Sequence, residues 1–160
     1  MKIFFFKKLT LFFAFFLISC SDFKEVPENI LTLTGLDKHN VSKTIDFTKC
    51  DKSFILLGNT FCAYCHEETE YLKQEYLTRK DSDFCALYVS SDKTIAGMKA
   101  FIEKKEIPFD ALHWNYSIMN ALGNPYAVPA YCLLGKGGKV LKCSIGKLDA
   151  DSLKKLIDAY

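Results

Sequence analysis

Residues 53–66, Ser-Phe-Ile-Leu-Leu-Gly-Asn-Thr-Phe-Cys-Ala-Tyr-Cys-His, join an apolar run to two closely spaced cysteines. The apolar part, 54–57, ends at Gly58-Asn59, which is typical of a buried parallel strand. Thr60 can cap a helix that begins near Phe61. The stretch therefore predicts a strand, a short connection, and a helix that carries Cys62 and Cys65 in its first turn.

Two thiols at a helix start can form and break a disulfide with little movement of the backbone. A helix N-terminus carries about half a positive charge and unpaired N–H groups, and both stabilise a thiolate. A cysteine in this position has a pKa of roughly 3.5–7.5, against about 8.5 for a free thiol. We expect Cys62, nearer to the terminus, to be the nucleophile and the more buried Cys65 to resolve the mixed disulfide.

The surrounding sequence predicts a single domain of alternating strands and helices. The expected elements are a β-hairpin from runs 30–34 and 41–47, a strand at 84–89, a helix at 94–105, a short helix at 116–122, strands at 130–134 and 140–145 around a glycine turn, and an amphipathic helix at 150–160. A βαβ unit followed by an antiparallel ββα unit predicts an α/β fold with a mixed sheet covered by helices.

The N-terminal residues have the pattern of an exported lipoprotein. Three lysines within 2–8 precede an apolar stretch of about ten residues, which is shorter than the roughly 20 residues of a membrane span. Leu17-Ile18-Ser19-Cys20 resembles a bacterial lipobox, so we expect cleavage before Cys20 and lipidation of Cys20; an ordinary signal peptide with an incidental cysteine is the alternative. The expected division is a signal peptide at 1–19, a lipid-anchored tether at 20–29 and a folded domain at 30–160.

Composition argues against a nucleic-acid-binding protein. The formal net charge of +2 includes the lysines of the expected leader, and no basic block follows it. With 49% hydrophobic residues, the rest of the chain can build a core of its own.

The cysteines outside the motif have no spacing that indicates a mechanism. We expect Cys85, in an apolar strand, to be a small buried hydrophobic residue, and Cys50 has no evident partner. Cys132 and Cys143 face each other if the hairpin turns through Gly137-Gly138 alone, whereas a three-residue turn with a bulge would separate them. Their pairing therefore stays open.

Along residues 30–160 the chain resembles exported, membrane-anchored thioredoxin-fold proteins of the TlpA/ResA type. The matching segments are the hairpin before the first apolar strand, Phe61-Cys62-Ala63-Tyr64-Cys65 followed by Glu68 and Leu72, which is similar to a Trp-Cys-x-x-Cys site, Val128-Pro129 at the position of the cis-proline, and the glycine turn 134–140 before the last strand.

This resemblance implies a thioredoxin fold with an N-terminal β-hairpin extension, and a thiol–disulfide oxidoreductase that needs no cofactor. It implies a reductant that acts outside the cytosol on exported thiol or disulfide proteins, such as apocytochrome c, and that is recharged by a membrane thiol–electron donor. Phe61, Val128 and Pro129 are expected to form the substrate groove beside Cys62 and Cys65, with a cis Val128–Pro129 bond and with the Val128 backbone paired to the substrate.

Some positions depart from the family pattern. Phe61 replaces the usual Trp, and Glu70 stands where a proline is frequent. Leu56 occupies the position of the buried Asp of cytosolic thioredoxins, so an obvious internal proton acceptor for Cys65 is missing. His66 and Glu67 are expected to be solvated.

Four other functions compete with this interpretation. Cys62-Ala63-Tyr64-Cys65-His66 satisfies the c-type haem attachment pattern, but small cytochromes are mainly helical and this chain has five or six strand-like segments. A zinc site would lack a second ligand pair, because His39 and His113 are isolated. A peroxiredoxin would need a cysteine framed by Pro and Thr. A non-catalytic binding or scaffold protein would use the same disulfide structurally, and its reduction potential would then lie below about −300 mV.

Overall fold

The computed structural model describes residues 25–79 and 83–160. The predicted signal peptide, the lipidation site Cys20 and residues 21–24 of the tether lie outside the described residues. No helix within the described ranges is both long enough and apolar enough to cross a membrane.

Seven strands and four α-helices alternate along the described chain. They are β1 (Thr32–Leu36), β2 (Ser42–Asp46), β3 (Lys52–Gly58), α1 (Ala63–Thr78), β4 (Phe84–Ser90), α2 (Ile95–Lys105), β5 (Asp110–His113), α3 (Tyr116–Ala121), β6 (Ala130–Gly135), β7 (Val140–Ile145) and α4 (Ala150–Ala159), with 3-10 turns at Phe47–Lys49 and Lys136–Gly138. The sequence did not predict β5, a strand of four residues that follows Pro108 and is too short to show a period of its own.

The strands form one mixed sheet in the order β2-β1-β5-β4-β3-β6-β7. Strands β3, β4 and β5 are parallel, while β6 runs antiparallel to β3, and β7 to β6. The N-terminal hairpin joins the sheet through a single residue pair, Leu36 with His113. This arrangement confirms the predicted thioredoxin fold with its mixed sheet and hairpin extension.

Strand β3 is the centre of the molecule and is buried on both faces. Since successive side chains point to opposite faces of a strand, Phe54 and Leu56 pack beneath α1 and α4, while Ile55 and Leu57 pack on the side of the hairpin and α3. Each fully buried side chain of this kind contributes roughly 1.5–3 kcal/mol. Apolar side chains thus pack against both faces of β3, and its C-terminal end at Gly58 leads through three residues to Cys62.

Two disulfides, which we call the sheet disulfides, have at least one cysteine on a strand. One corrects the expectation for Cys85, and the other forms a pair that the sequence left open. Cys85 is not a free hydrophobic residue, because it bonds to Cys50 at the end of the first 3-10 turn. Cys132 bonds to Cys143, which lies directly opposite on β7.

The β6–β7 turn shows why Cys132 and Cys143 meet. It has the three-residue form, with the Gly135 N–H donating to the Lys139 carbonyl at 2.8 Å. The expectation that such a turn separates the two cysteines is wrong, because an irregularity in the pairing next to Leu134 shifts the register back.

Candidate active site

Cys62 and Cys65 form a disulfide with a Cα–Cα distance of 5.2 Å at the start of α1. Cys62 is the N-cap residue, and its Sγ accepts a hydrogen bond from the Cys65 N–H at 3.1 Å. Cys62 is partly exposed, whereas Cys65 is completely buried. The two sulfurs are therefore unequal, since only one can be reached from outside and that one lies against the positive end of the helix.

The N-cap is not Thr60, as the sequence predicted, because the Thr60 hydroxyl has another partner. Asp92, which is 5% exposed, accepts hydrogen bonds through Oδ1 from the Thr60 N–H at 2.9 Å and the Thr60 hydroxyl at 2.7 Å. Its Oδ2 accepts from Ser90 Oγ at 2.7 Å, and its carbonyl oxygen accepts from His113 Nε2 at 2.8 Å. Asp92 thus fixes the loop that presents Cys62.

His66 is half-buried, so the expectation that its side chain is solvated is wrong. Its Nε2 lies 2.9 Å from the Thr60 carbonyl oxygen, and its ring packs edge-on against Phe101 with centroids 4.9 Å apart. A carbonyl oxygen only accepts, so Nε2 carries the proton in this contact. His66 therefore holds the same loop from the helix side, while Glu67 is exposed and pairs with Lys147.

The Val128–Pro129 peptide bond is cis, as the resemblance implied. Pro129 is buried, and its carbonyl accepts from the Gly146 N–H at 2.9 Å. The next residue, Ala130, pairs with Leu57 at the end of β3. Since β3 leads into the loop before Cys62, the cis-proline and the disulfide lie at the same edge of the sheet.

Glu68 is a candidate functional residue that the sequence indicated only as part of the motif around Cys62 and Cys65. It lies one turn after Cys65 on the same face of α1 and is completely buried. Its Oε2 accepts a long hydrogen bond, 3.5 Å, from the Leu148 N–H, and its Oε1 has no partner among the described residues. Burial raises the pKa of Glu68 to about 7, although the Leu148 N–H and the charge of Lys147 oppose this shift.

Glu68 therefore places a titratable carboxyl one helical turn from Cys65. Leu56, which occupies the position of the buried Asp of cytosolic thioredoxins, supplies no such group. The sequence contained a signal for it, because Glu68 shares the buried face of α1 with Cys65 and Leu72. Acidic residues are seldom fully buried, so a carboxyl on a buried helix face indicates either an ion pair or a functional site.

Exposed aromatic side chains lie next to the disulfide and the cis-proline in the chain. Phe61 is 95% exposed, Tyr64 58% and Tyr126 75%. Lys147 Nζ lies 5.0 Å from the centroid of the Tyr64 ring, within the range of a cation–π contact. Large aromatic rings left in solvent beside a reactive bond are characteristic of surfaces that contact other proteins. The resemblance implied a place for Phe61 at this surface but none for Tyr64 or Tyr126.

Residues 22–157 match the redoxin family. The chain belongs to the redoxin family. No curated protein sequence matches this redoxin.

Solved structures of thioredoxin-type proteins resemble this redoxin over most of both chains. A thiol:disulfide interchange protein of the thioredoxin family from Chlorobium tepidum TLS has a TM-score of 0.74 and 13% identity, over 85% of this chain and 97% of that one. The thioredoxin domain of a thiol-disulfide oxidoreductase from Bacteroides vulgatus has a TM-score of 0.66 and 20% identity, over 83% and 99%. StoA from Bacillus subtilis has a TM-score of 0.64 and 17% identity, over 81% and 98%.

These findings confirm the resemblance to TlpA/ResA-type proteins that the sequence indicated. They also confirm the predicted enzyme class, a thiol–disulfide oxidoreductase.

Proposed function

We propose that this redoxin is a membrane-anchored, extracytoplasmic reductant of disulfides in exported proteins, with Cys62 as the nucleophile and Cys65 as the resolving thiol. The observation that carries the assignment is the unequal Cys62–Cys65 pair at the N-cap of α1. Phe61, Val128 and Pro129 form the groove that holds the substrate chain, and the Val128 backbone pairs with it.

The proposed reaction passes two electrons to the substrate. The Cys62 thiolate attacks one sulfur of the substrate disulfide, and the other substrate sulfur leaves as a thiolate. The Cys65 thiol gives its proton to Glu68 and attacks Cys62 Sγ, which releases the second substrate thiolate. The product is the Cys62–Cys65 disulfide seen in the structure. A membrane thiol–electron donor then returns two electrons.

Glu68 suits this role because its pKa of about 7 lies close to neutral pH. A proton acceptor works best when its pKa lies near the operating pH. The carboxyl is buried, so the proton stays near the reacting sulfurs.

The proposed location rests on the leader and on the use of cysteine. All six cysteines of the described chain are in disulfides. Disulfides persist in oxidising compartments and are rare in the cytosol. The predicted lipidation of Cys20 would hold the domain at a membrane surface. Replacement of Cys20 by Ala should release the protein from the membrane fraction, and a Cys20→Ala protein that stays membrane-bound would contradict lipid anchoring.

Reduction of insulin disulfides, with dithiothreitol as electron donor, tests the chemistry. The Cys62→Ala variant should lose activity, whereas a Cys132→Ala/Cys143→Ala protein should keep it. The Cys65→Ala variant should accumulate mixed disulfides with natural substrates, which mass spectrometry can identify. Retained activity in Cys62→Ala would overturn the assignment.

The reduction potential separates a reductant from a scaffold. Equilibration with redox buffers, followed by alkylation of Cys62 and Cys65, gives the potential directly. A value above about −300 mV supports a catalytic disulfide, and a lower value supports a structural one in a binding protein.

A further inference from the structure

Tyr88 carries a buried hydroxyl that the fold leaves without a partner. The residue lies in the middle of β4 and is completely inaccessible to solvent. Its Oη has no hydrogen-bond partner among the described residues. A buried hydroxyl without a partner destabilises a protein, and native structures contain few of them. Its position therefore calls for an explanation.

Gly58 shows where this hydroxyl points. A Cβ built on Gly58 would lie 3.0 Å from Tyr88 Oη and 3.0 Å from Cys65 Cβ. The two groups thus converge on one point, which stays open because residue 58 is a glycine. The Tyr88 ring is held there by stacking on Phe101, with ring centroids 5.2 Å apart.

The redox state of Cys65 changes what it offers to this hydroxyl. In the disulfide, Cys65 Sγ is bonded to Cys62 and is a weak acceptor. Once that bond opens, Sγ can turn about the Cα–Cβ bond, and a thiolate accepts a charge-assisted hydrogen bond that is roughly twice as strong as a neutral one. Cys65 is completely buried, which strengthens such a bond further.

We propose that the Tyr88 hydroxyl donates a hydrogen bond to Cys65 Sγ when the Cys62–Cys65 disulfide is open, and that it thereby stabilises the thiolate that resolves the mixed disulfide. The role rests on the proposed function of Cys65 and adds a residue from a neighbouring strand to it. Burial and the negative charge of Asp92 raise the pKa of Tyr88. The phenol therefore keeps its proton and acts as a donor.

The Tyr88→Phe variant of the full chain tests this, because it removes the hydroxyl and keeps the ring on Phe101. Stabilisation of the thiolate favours the reduced form, so its loss should lower the potential. We expect the equilibrium constant for reduction by dithiothreitol to fall about tenfold, which corresponds to about 30 mV. Release of substrate from Cys62 should slow about tenfold, while the attack by Cys62 keeps its rate. Tyr76→Phe is the matched control, because Tyr76 lies on α1 well beyond Cys65 and its ring packs on Phe109. This variant should change neither quantity.

A second measurement separates this role from simple packing. In the oxidised protein, Tyr88→Phe removes an unpartnered hydroxyl, so the variant should be at least as stable to urea as the original. In the reduced protein it removes a hydrogen bond, so the variant should be less stable. Equal stability changes in the two states, or an unchanged equilibrium constant, would overturn the proposal.

Failure of the proposed function would look different from failure of the Tyr88 proposal. The dithiothreitol equilibrium needs no protein substrate. If the original protein does not reduce insulin but Tyr88→Phe still lowers the equilibrium constant, the proposed function fails and the Tyr88 contact stands.

Discussion

The Cys62–Cys65 disulfide and the two sheet disulfides are chemically alike but lie in different surroundings. Cys62–Cys65 spans three residues at a helix N-terminus, where an N–H group already points at Cys62 Sγ. Cys50–Cys85 spans 35 residues and ties the first 3-10 turn to β4, and Cys132–Cys143 spans 11 residues and ties β6 to β7. The first is placed so that its reduced form is stabilised, and the others are placed so that their oxidised form restrains the chain.

The positions of the buried carboxylates also distinguish the region around Cys62–Cys65 from the region around the sheet disulfides. Glu68 and Asp92 are the buried acidic residues of the described chain, and both lie at the end of the sheet that carries Cys62. One lies a turn away from Cys65, and the other fixes the loop before Cys62. Buried acidic groups are thus concentrated where chemistry is proposed, whereas Cys132 and Cys143 pack in the apolar core on the hairpin side of the sheet.

The largest expected effect is on stability, from removal of the sheet disulfides. The loop-length model gives a loss of about 4 kcal/mol for Cys50→Ala/Cys85→Ala and about 3 kcal/mol for Cys132→Ala/Cys143→Ala. Removal of Cys62–Cys65 by the same substitution should lose about 2 kcal/mol, because its loop is shortest. Urea unfolding without reductant measures all three. If the double variant at Cys62 and Cys65 is the least stable, the sheet disulfides are not the bonds that stabilise the fold most.

Graded reduction should open the three bonds in a defined order. We expect Cys62–Cys65 to be reduced about 100-fold more readily than either sheet disulfide, a difference of about 60 mV. Alkylation at a series of potentials, followed by peptide mass spectrometry, counts the free thiols at each cysteine. Simultaneous opening of all three bonds would remove the distinction between them.

Glu68 should make the stability depend on pH. Its pKa is raised from 4.5 to about 7 in the folded protein, so the fold binds this proton more tightly than the unfolded chain does. The resulting stability is fully present below pH 4.5 and is lost as the pH rises towards 7. In Glu68→Gln this loss should be absent, and the difference between the proteins should change by roughly 2–3 kcal/mol over that interval.

Urea unfolding of the oxidised proteins at several pH values measures the effect of Glu68. Glu67→Gln is the control, because that side chain is exposed and paired with Lys147. A parallel pH dependence in Glu68→Gln and the original protein would show that another group is responsible.

The smallest expected effect concerns the aromatic surface. Phe61 is 95% exposed, so Phe61→Ala should change the unfolding free energy by less than about 0.5 kcal/mol. If Phe61 contacts substrate, kcat/KM for insulin reduction should fall about fivefold, which corresponds to about 1 kcal/mol. Val41→Ala, 58% exposed in the hairpin, is the control and should change neither quantity. Equal kcat/KM values for Phe61→Ala and Val41→Ala would exclude Phe61 from the groove.

Much of this molecule could be predicted locally. The apolar run 54–57 and the Cys62–Cys65 spacing are each contained in a few consecutive residues. The structure has the buried strand and the disulfide that these two patterns predict. Strand β5 was missed because four residues are too few to show a periodicity. The cis form of Val128–Pro129 was available through resemblance only, since most X-Pro bonds in folded proteins are trans.

By itself, the sequence determined the order of elements and the place of the reactive cysteine pair, because hydrophobic periodicity and helix-start chemistry act over short stretches. Only the tertiary structure decided that Cys50 meets Cys85, that Glu68 is buried without a full set of partners, and that Tyr88 reaches the Cys65 side of Gly58. These contacts join residues on different strands and helices. They depend on sheet order and register, which no short stretch of sequence contains.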